Sequence, residues 1–274
     1  KIAVLQVGSR SQAVSNVFVE DPSFSYTQTV VGSVDFSSLS TYDFIILNEL
    51  TSIGSGFVEQ IKQFVEAGGI VLIVPNVSDV ADVNMLSKTL GVASYGALQN
   101  RGLSVSADDL KKPFFRDVYR KIPRNTLLPK VNKSLQMNMQ PLSSKLLSIR
   151  DGSALLVQTK VDKGNVFQMS APLSSAYSNL ANHELFVLSM LKMAFSKVEK
   201  QELAHYVHSN ESIALPFSGS ASVLKLVKKE RETILETNVQ NGQTRIWLNE
   251  DVDAAGVYDV ATESNETVAK LALN

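Results

Sequence analysis

The sequence contains no cysteine among its 274 residues. This absence excludes disulfide bonds, zinc–thiolate sites and catalysis by a thiolate nucleophile. It assigns no cellular compartment, because a chain of this length can bury a core that needs no covalent cross-link.

The chain also has almost no net charge and no long apolar run. Twenty-six basic and 27 acidic residues leave a net charge of −1, and no stripe of Lys and Arg points to a nucleic acid partner. The basic residues between positions 111 and 124 are mixed with Asp108, Asp109 and Asp117, which predicts a solvated helix face. No apolar run approaches the roughly 20 residues needed to span a bilayer. The chain opens with Lys1 in predicted core sequence, so we expect it to be a segment of a longer protein.

Apolar runs alternate with helical patterns in the first part of the chain, which predicts a parallel α/β sheet with helices on both faces. The Gly68-Gly69 pair is a typical helix end. The predicted strands are 2–7, 26–31, 42–49 and 70–74, and the predicted helices are 11–20, 55–67 and 79–90.

The rest of the chain divides into three regions. Residues 92–145 have poor periodicity, and we expect an insertion with one or two short helices. Strands follow at 146–150, 154–160 and 166–170, and Asn182 is the expected N-cap of a helix over 183–196. From about residue 203 the pattern alternates, predicting a small Ig-like β-sandwich of six or seven strands. The expected domains are therefore 1–200 and 201–274.

Residues 42–48 (YDFIILN), the helix over 55–67 and residues 68–74 (GGIVLIV) carry a family resemblance. This pattern resembles the class I glutamine-amidotransferase-like fold, a flavodoxin-like parallel sheet, over about residues 1–197. The resemblance implies a catalytic cysteine at a tight strand-to-helix elbow and a histidine that activates it. The elbow would lie at 75–77 (PNV), and the histidine would fall near 169–172 (MSAP). Neither segment holds the required residue, so amidotransferase activity is not expected.

Nearly the whole chain also resembles the C-terminal soluble region of bacterial BatA-type proteins of the aerotolerance operon. The segments are residues 171–174 (APLS), 179–187 (NLANHELFV), 255–258 (AGVY) and 269–274 (AKLALN). This resemblance implies a periplasmic part of an inner-membrane protein in the cell envelope, with membrane helices outside this sequence. It also implies von Willebrand A-like domains as protein partners.

Ligands of such sheets bind beyond the carboxyl ends of the strands. The residues expected in that crevice are Ser9, Arg10, Asn48, Glu49, Asn76, Ser78 and Asp79. Glu49 and Asp79 could form an acid–base pair, or a cation site with Asn48 and Asn76. The simpler interpretation is that loops after strands are polar because helix starts and turns need such residues.

His183 is a further candidate crevice residue, although a place in the first helical turn after the Asn182 cap is the simpler interpretation. His205 and His208 lack a third ligand nearby in the sequence. We expect no metal and no cofactor. The leading hypothesis is a non-catalytic protein-interaction or assembly module. The alternative is a hydrolase, or a sensor of small molecules or cations, that uses Glu49, Asp79 and His183.

Overall fold

A mostly parallel seven-stranded sheet forms the centre of residues 1–198 in the computed structural model of the chain. The structure describes residues 1–115, 127–197, 213–215, 223–228, 231–240, 243–248, 256–262 and 267–273. The chain divides into two units, residues 1–198 and residues 199–274, which are described separately.

The elements of the first unit follow the alternation expected from the sequence. In chain order they are β1 (Ile2–Gly8), α1 (Gln12–Phe18), β2 (Phe24–Thr29), β3 (Phe44–Asn48), α2 (Ser55–Glu66), β4 (Ile70–Val74), α3 (Ala81–Leu90), β5 (Ser94–Ser104), β6 (Lys130–Asn138), β7 (Ser143–Ser148), β8 (Ala154–Val161), β9 (Gly164–Met169) and α4 (Glu184–Ala194). The predicted helices and central strands are confirmed to within a few residues. Gly68, with φ of +106°, follows α2 in the left-handed conformation expected of a helix end.

The strand order of the sheet is β2-β1-β3-β4-β9-β8-β7. The first five strands are parallel, and their order matches the 2-1-3-4-5 order of flavodoxin-like sheets, with β9 in the fifth place. β8 and β7 extend the sheet as antiparallel strands. The mixed α/β architecture is thus confirmed.

Helices cover both faces of this sheet. α1 and α4 bury Phe18 and Phe186 on one face, where they meet β3 through Phe44 and Ile46. α2 and α3 pack on the opposite face, which includes the alternate β3 residues Ile45 and Leu47. β3 is therefore apolar on both sides, which explains its uninterrupted hydrophobic run.

The predicted content of the 92–145 insertion is largely wrong. β5 and β6 form a two-stranded antiparallel ribbon, and the described helical part is a single 3-10 turn over Ala107–Lys111. β5 has the sequence SYGALQNRGLS, whose two glycines and shortage of β-branched residues weaken its strand signal. Pairing with β6 overrides that low propensity.

Asp109 departs from the expected solvated helix face. Its side chain is buried and accepts hydrogen bonds from the backbone N–H and hydroxyl of Ser148, and it pairs with Lys112. Asp108 pairs with Lys111 at the surface, as expected. Asp109 thus anchors the segment after β5 to β7. Residues 116–126 lie outside the described part of the chain.

The described residues of the second unit form antiparallel strands. They are β10 (Ile213–Leu215), β11 (Leu224–Lys228), β12 (Arg231–Gln240), β13 (Gln243–Trp247), β14 (Gly256–Thr262) and β15 (Thr267–Leu273). Hydrogen bonds join all six into one sheet of order β10-β13-β12-β11-β14-β15. Its core includes Leu224, Leu235, Ile246 and Val260. The predicted all-β content is present, whereas the two-sheet Ig-like sandwich is not confirmed by these strands.

Gly164, the first residue of β9, has no room for a side chain. A Cβ atom there would lie 2.3 Å from the carbonyl oxygen of Val65 and 2.4 Å from that of Gly69. We expect Gly164→Ala to lower the free energy of unfolding by about 1–3 kcal/mol, because backbone must move to relieve the overlap. Denaturant unfolding measures this change. Gly56→Ala is the control, since a Cβ there meets no atom within 4 Å. Equal stability of the two variants would contradict this packing.

Candidate functional site

The carboxyl ends of β1 and β3 lie side by side, with Gly8 opposite Asn48. α1, which follows β1, and α2, which follows β3, cover opposite faces of the sheet. The crossover direction therefore reverses between these two strands, and such a switch point is where open α/β sheets bind ligands. Ser9, Arg10 and Glu49 follow directly on these strand ends.

A network of buried amides holds this strand end together. The carbonyl oxygen of Ser9 accepts hydrogen bonds from Gln6 Nε2 at 2.6 Å and Asn48 Nδ2 at 2.8 Å. The Ser9 N–H donates to the Asn48 carbonyl oxygen at 2.9 Å, and the Tyr26 hydroxyl donates to Gln6 Oε1 at 2.7 Å. These contacts fix the loop after β1 against β3. The amide N–H groups of Gln6 and Asn48 are thus engaged inside the protein.

Gly8 permits this close approach. Its φ is +105°, and a Cβ atom would lie 2.3 Å from the Asn48 carbonyl oxygen. Any larger residue would separate the loop after β1 from β3, so the geometry of the strand end depends on this glycine.

Glu49 is the most unusual residue at the switch point. Its φ of 49° is rare for a residue other than glycine, and its N–H donates to the Val74 carbonyl oxygen at 2.9 Å. The side chain is partly buried, and this desolvation raises the pKa of the Glu49 carboxyl. A strained backbone and a perturbed carboxyl together mark a candidate functional position.

Asn76, Ser78 and Asp79 form local turns in the loop between β4 and α3. Asn76 Oδ1 accepts from the Ser78 N–H at 2.9 Å, and Asp79 Oδ1 accepts from the Ala81 N–H at 2.9 Å. These side chains organise the start of α3, as the simpler interpretation expected. Six residues, 75–80, separate β4 from α3, so this loop is not a tight nucleophile elbow.

His183 is itself the N-cap of α4, so the predicted Asn182 cap is wrong. Its Nδ1 accepts a hydrogen bond from the Leu185 N–H at 3.0 Å. Nε2 must then carry the proton, and it donates to the Leu127 carbonyl oxygen at 2.8 Å. Both ring nitrogens are occupied. Asn182 instead lies in the short 3-10 turn Leu180–Asn182 that leads into the cap.

The ribbon covers the end of β9, where the family resemblance would put a catalytic histidine. The Leu135 N–H of β6 donates to the Ser170 carbonyl oxygen at 2.7 Å. The Tyr177 carbonyl oxygen accepts from the N–H groups of Asn132 at 2.7 Å and Lys133 at 3.2 Å. Ser170 is fully buried. Backbone pairing with β6 therefore closes this part of the sheet edge.

The predicted crevice residues thus separate into two groups. The turn and cap residues are Asn76, Ser78, Asp79 and His183. The residues at the β1–β3 strand ends are Ser9, Arg10, Asn48 and Glu49, and of these Arg10 is exposed. Sequence reasoning missed Gln6 and Tyr26, although a glutamine inside an apolar strand is an unusual signal.

The described ranges contain neither a cluster of metal ligands nor a membrane-spanning helix. No group of three or more His, Asp or Glu side chains is positioned there to hold a metal ion. No helix in those ranges is long and apolar enough to cross a membrane. His205 and His208 fall outside them.

The chain matches no known protein-family model and no curated protein. Among solved structures, two cytoplasmic proteins of Salmonella typhimurium are similar to it. One has a TM-score of 0.54 at 10% identity over 71% of this chain and 98% of that protein. The other has a TM-score of 0.51 at 13% identity over 71% of this chain and 99% of that protein. The mmIFT52 N-terminal domain has a TM-score of 0.52 at 11% identity, covering 73% of this chain and 98% of that domain. These similarities concern the fold alone.

The cap of α4 is testable by substitution at His183. We expect His183→Ala to lower the free energy of unfolding by about 0.5–2 kcal/mol, because the Leu185 N–H loses its acceptor. His183→Asn should keep most of the stability, since asparagine is a good N-cap residue. Thermal or denaturant unfolding compares the two variants. Equal losses in both would show that the Leu127 contact, rather than the cap, carries the effect.

Because the pKa of Glu49 is raised, we expect that replacing its carboxyl with an uncharged group stabilises the fold, and that this gain depends on pH. The fold disfavours the ionised carboxylate, so the destabilisation grows as the pH rises through the Glu49 pKa and is absent below about pH 4, where unfolded glutamates are protonated. Glu49→Gln should therefore raise the Tm at pH 7 and leave it unchanged at pH 3.5.

Exposed Glu59 provides the control for this measurement. Glu59→Gln should leave the Tm unchanged at both pH values. A lower Tm for Glu49→Gln at pH 7 would mean that the carboxylate makes a stabilising contact, and would contradict the assignment of burial as the cause.

Proposed function

We propose that this chain is a non-catalytic protein-interaction module built on a glutamine-amidotransferase-like fold. The flavodoxin-like strand order supports the fold assignment. The absence of cysteine removes the nucleophile that amidotransferases require. The loop 75–80 has neither the residue nor the tight geometry of a nucleophile elbow.

The covered end of β9 is the observation that carries the proposal. An active site of this type would need Ser170 and its neighbours open to a substrate, yet Ser170 is fully buried beneath β6. Of the two other candidate catalytic groups, His183 caps α4, and Asp79 Oδ1 accepts from the Ala81 N–H in the turn before α3. A catalytic pair with Glu49 is therefore disfavoured.

The ribbon of β5 and β6 is the proposed interaction element. It projects two partly exposed leucines, Leu98 at 41% and Leu103 at 37% of their full exposure. Partly exposed apolar side chains on a strand pair can enter a partner's interface while the remainder of the ribbon stays paired.

The proposed partner is a von Willebrand A-like domain of the same protein or operon, within the cell envelope. Support for this part comes from the resemblance of residues 179–187 and 255–258 to BatA-type proteins. The module would then be the periplasmic portion of a protein whose membrane helices lie outside this sequence.

Binding to a separately purified von Willebrand A-like domain tests the proposal. We expect Leu98→Ser combined with Leu103→Ser to weaken binding at least tenfold in isothermal titration calorimetry, because the apolar contacts of the interface are lost. Leu142→Ser is the matched control, since Leu142 is strongly exposed but lies outside the ribbon. Unchanged affinity of the double variant would reject the ribbon as the interface, and no binding by the unmodified chain would reject the partner.

A sensor that binds a small molecule or cation at Glu49 is the second candidate. The positive φ and raised pKa of Glu49 favour it over a hydrolase. Stabilisation of the chain by Mg²⁺ or Ca²⁺ that disappears in Glu49→Gln would support it, because ligands of the folded state raise Tm. An unchanged Tm in both cations would remove them as ligands.

A further inference from the structure

The basic residues of this chain are concentrated in one stretch. Residues 94–151, from the start of β5 to the turn after β7, contain 11 basic and 4 acidic residues, a net charge of +7. The remaining residues contain 15 basic and 23 acidic residues, a net charge of −8. The near-neutral total of −1 is therefore the sum of two opposite net charges. Such an asymmetry indicates a surface for a charged partner.

Two of these basic residues flank Ser104, the last residue of β5. On one side, Ser104 pairs with Lys130 of β6. On the other side, its carbonyl oxygen accepts a hydrogen bond from the Arg150 N–H at 3.0 Å, next to the antiparallel bridge between Val105 and Ile149. Lys130, Ser104 and Arg150 thus lie opposite one another on three adjacent segments of the chain. We call these three residues the basic row.

The basic row faces solvent. Opposite residues of an antiparallel pair point to the same side, and their neighbours in sequence point to the other side. The neighbours Val105, Val131 and Ile149 are buried in the hydrophobic core, whereas Lys130 and Arg150 are exposed. The buried side holds the backbone of the row in place, and the two cations extend from its outer side.

The charges of the row are not neutralised within the part of the chain that the structure describes. No ion pair joins either cation to a described residue. The acids nearest to the row already have basic partners, since Asp151 pairs with Arg101 at 2.9 Å and Asp109 pairs with Lys112. The row therefore presents two positive charges to solvent.

This arrangement has the chemistry of a carboxylate site. Opposite residues have Cβ atoms about 5 Å apart, so the side chains of Lys130 and Arg150 can both reach one anion in front of Ser104. A guanidinium binds a carboxylate through two parallel hydrogen bonds, and the Ser104 hydroxyl can donate a further one.

A protein carboxylate fits the row better than the phosphates of a nucleic acid. Nucleic acid binding typically uses about 6–10 phosphate contacts, whereas the row offers two cations. Leu103, which precedes Ser104 in β5, is also partly exposed. An apolar contact beside an ion pair is typical of a protein interface.

We propose that the basic row binds an acidic segment of a partner protein, with one carboxylate held between Lys130 and Arg150. This inference rests on the proposed function as a protein-interaction module. It adds negative charge to the chemistry required of the partner surface, beside the apolar contacts of Leu98 and Leu103.

A decaglutamate peptide tests the charge preference without an assumed partner. Titrated into the ¹⁵N-labelled full chain at low salt, it should shift the amide signals of Ser104, Lys130 and Arg150. We expect Lys130→Ala combined with Arg150→Ala to weaken peptide binding by about fivefold or more, because both ion pairs are lost. Lys160→Ala combined with Lys163→Ala is the matched control, since it removes the same charge from exposed positions at the end of β8 and the turn after it.

Three results would overturn the proposal. They are equal weakening by the two double variants, no binding of the peptide to the unmodified chain, and tighter binding of a deoxythymidine decamer than of the peptide. A von Willebrand A-like domain that fails to bind would reject that partner but would not alter these titrations, so the two proposals fail separately.

Discussion

Pairing between β6 and the segment after β9 determines whether the strand-end edge of the sheet is open or buried near β9. Parallel strands end in loops along one edge of a sheet, and in related architectures that edge holds the ligand. Here the backbone of β6 bonds to Ser170 and Tyr177. That pairing satisfies the backbone groups of the loop and also removes them from solvent. This part of the strand-end edge therefore belongs to the folded interior.

A polar side chain at a strand end can either make a structural hydrogen bond or remain available for chemistry. A helix start leaves N–H groups without partners, and Asp79 and His183 supply acceptors to α3 and α4. Both ring nitrogens of His183 are occupied by hydrogen bonds, so this side chain is poorly placed to move a proton or hold an ion. The β1–β3 strand end holds a carboxyl whose pKa is raised by burial, that of Glu49.

The sequence predicts the layers of the first unit well because their signals are local. β3 is apolar at every position except its last residue, and α2 repeats its apolar residues at helical spacing. Each pattern therefore predicts the type of the element and the faces that it buries. β5 could not be predicted in this way. Its strand conformation depends on pairing with β6, which lies more than 25 residues later in the sequence, and its own residues favour turns.

The candidate site was predictable by position and much less by role. Topology alone brings Ser9, Asn48 and Glu49 to one edge. The positive φ of Glu49 and the cap formed by His183 depend on exact backbone geometry, which residue identity does not encode. The arrangement of strands in the second unit was likewise not predictable. An alternating sequence predicts strands but not how many sheets they form, and the described strands form one six-stranded sheet.

An α/β layer can form without any thiol chemistry, because the stability of the layer and the chemistry of a strand-end site depend on different parts of the sheet. The stability of an α/β layer comes from apolar burial on its two faces, which β3 illustrates with Phe44 and Ile46 on one side and Ile45 and Leu47 on the other. Chemistry depends instead on a few exposed polar groups at the strand ends. A catalytic site with unpaired polar groups usually costs stability. Pairing of β6 with the end of β9, the hydrogen bond between Asp79 and the Ala81 N–H, and the cap that His183 forms on α4 all reduce that cost.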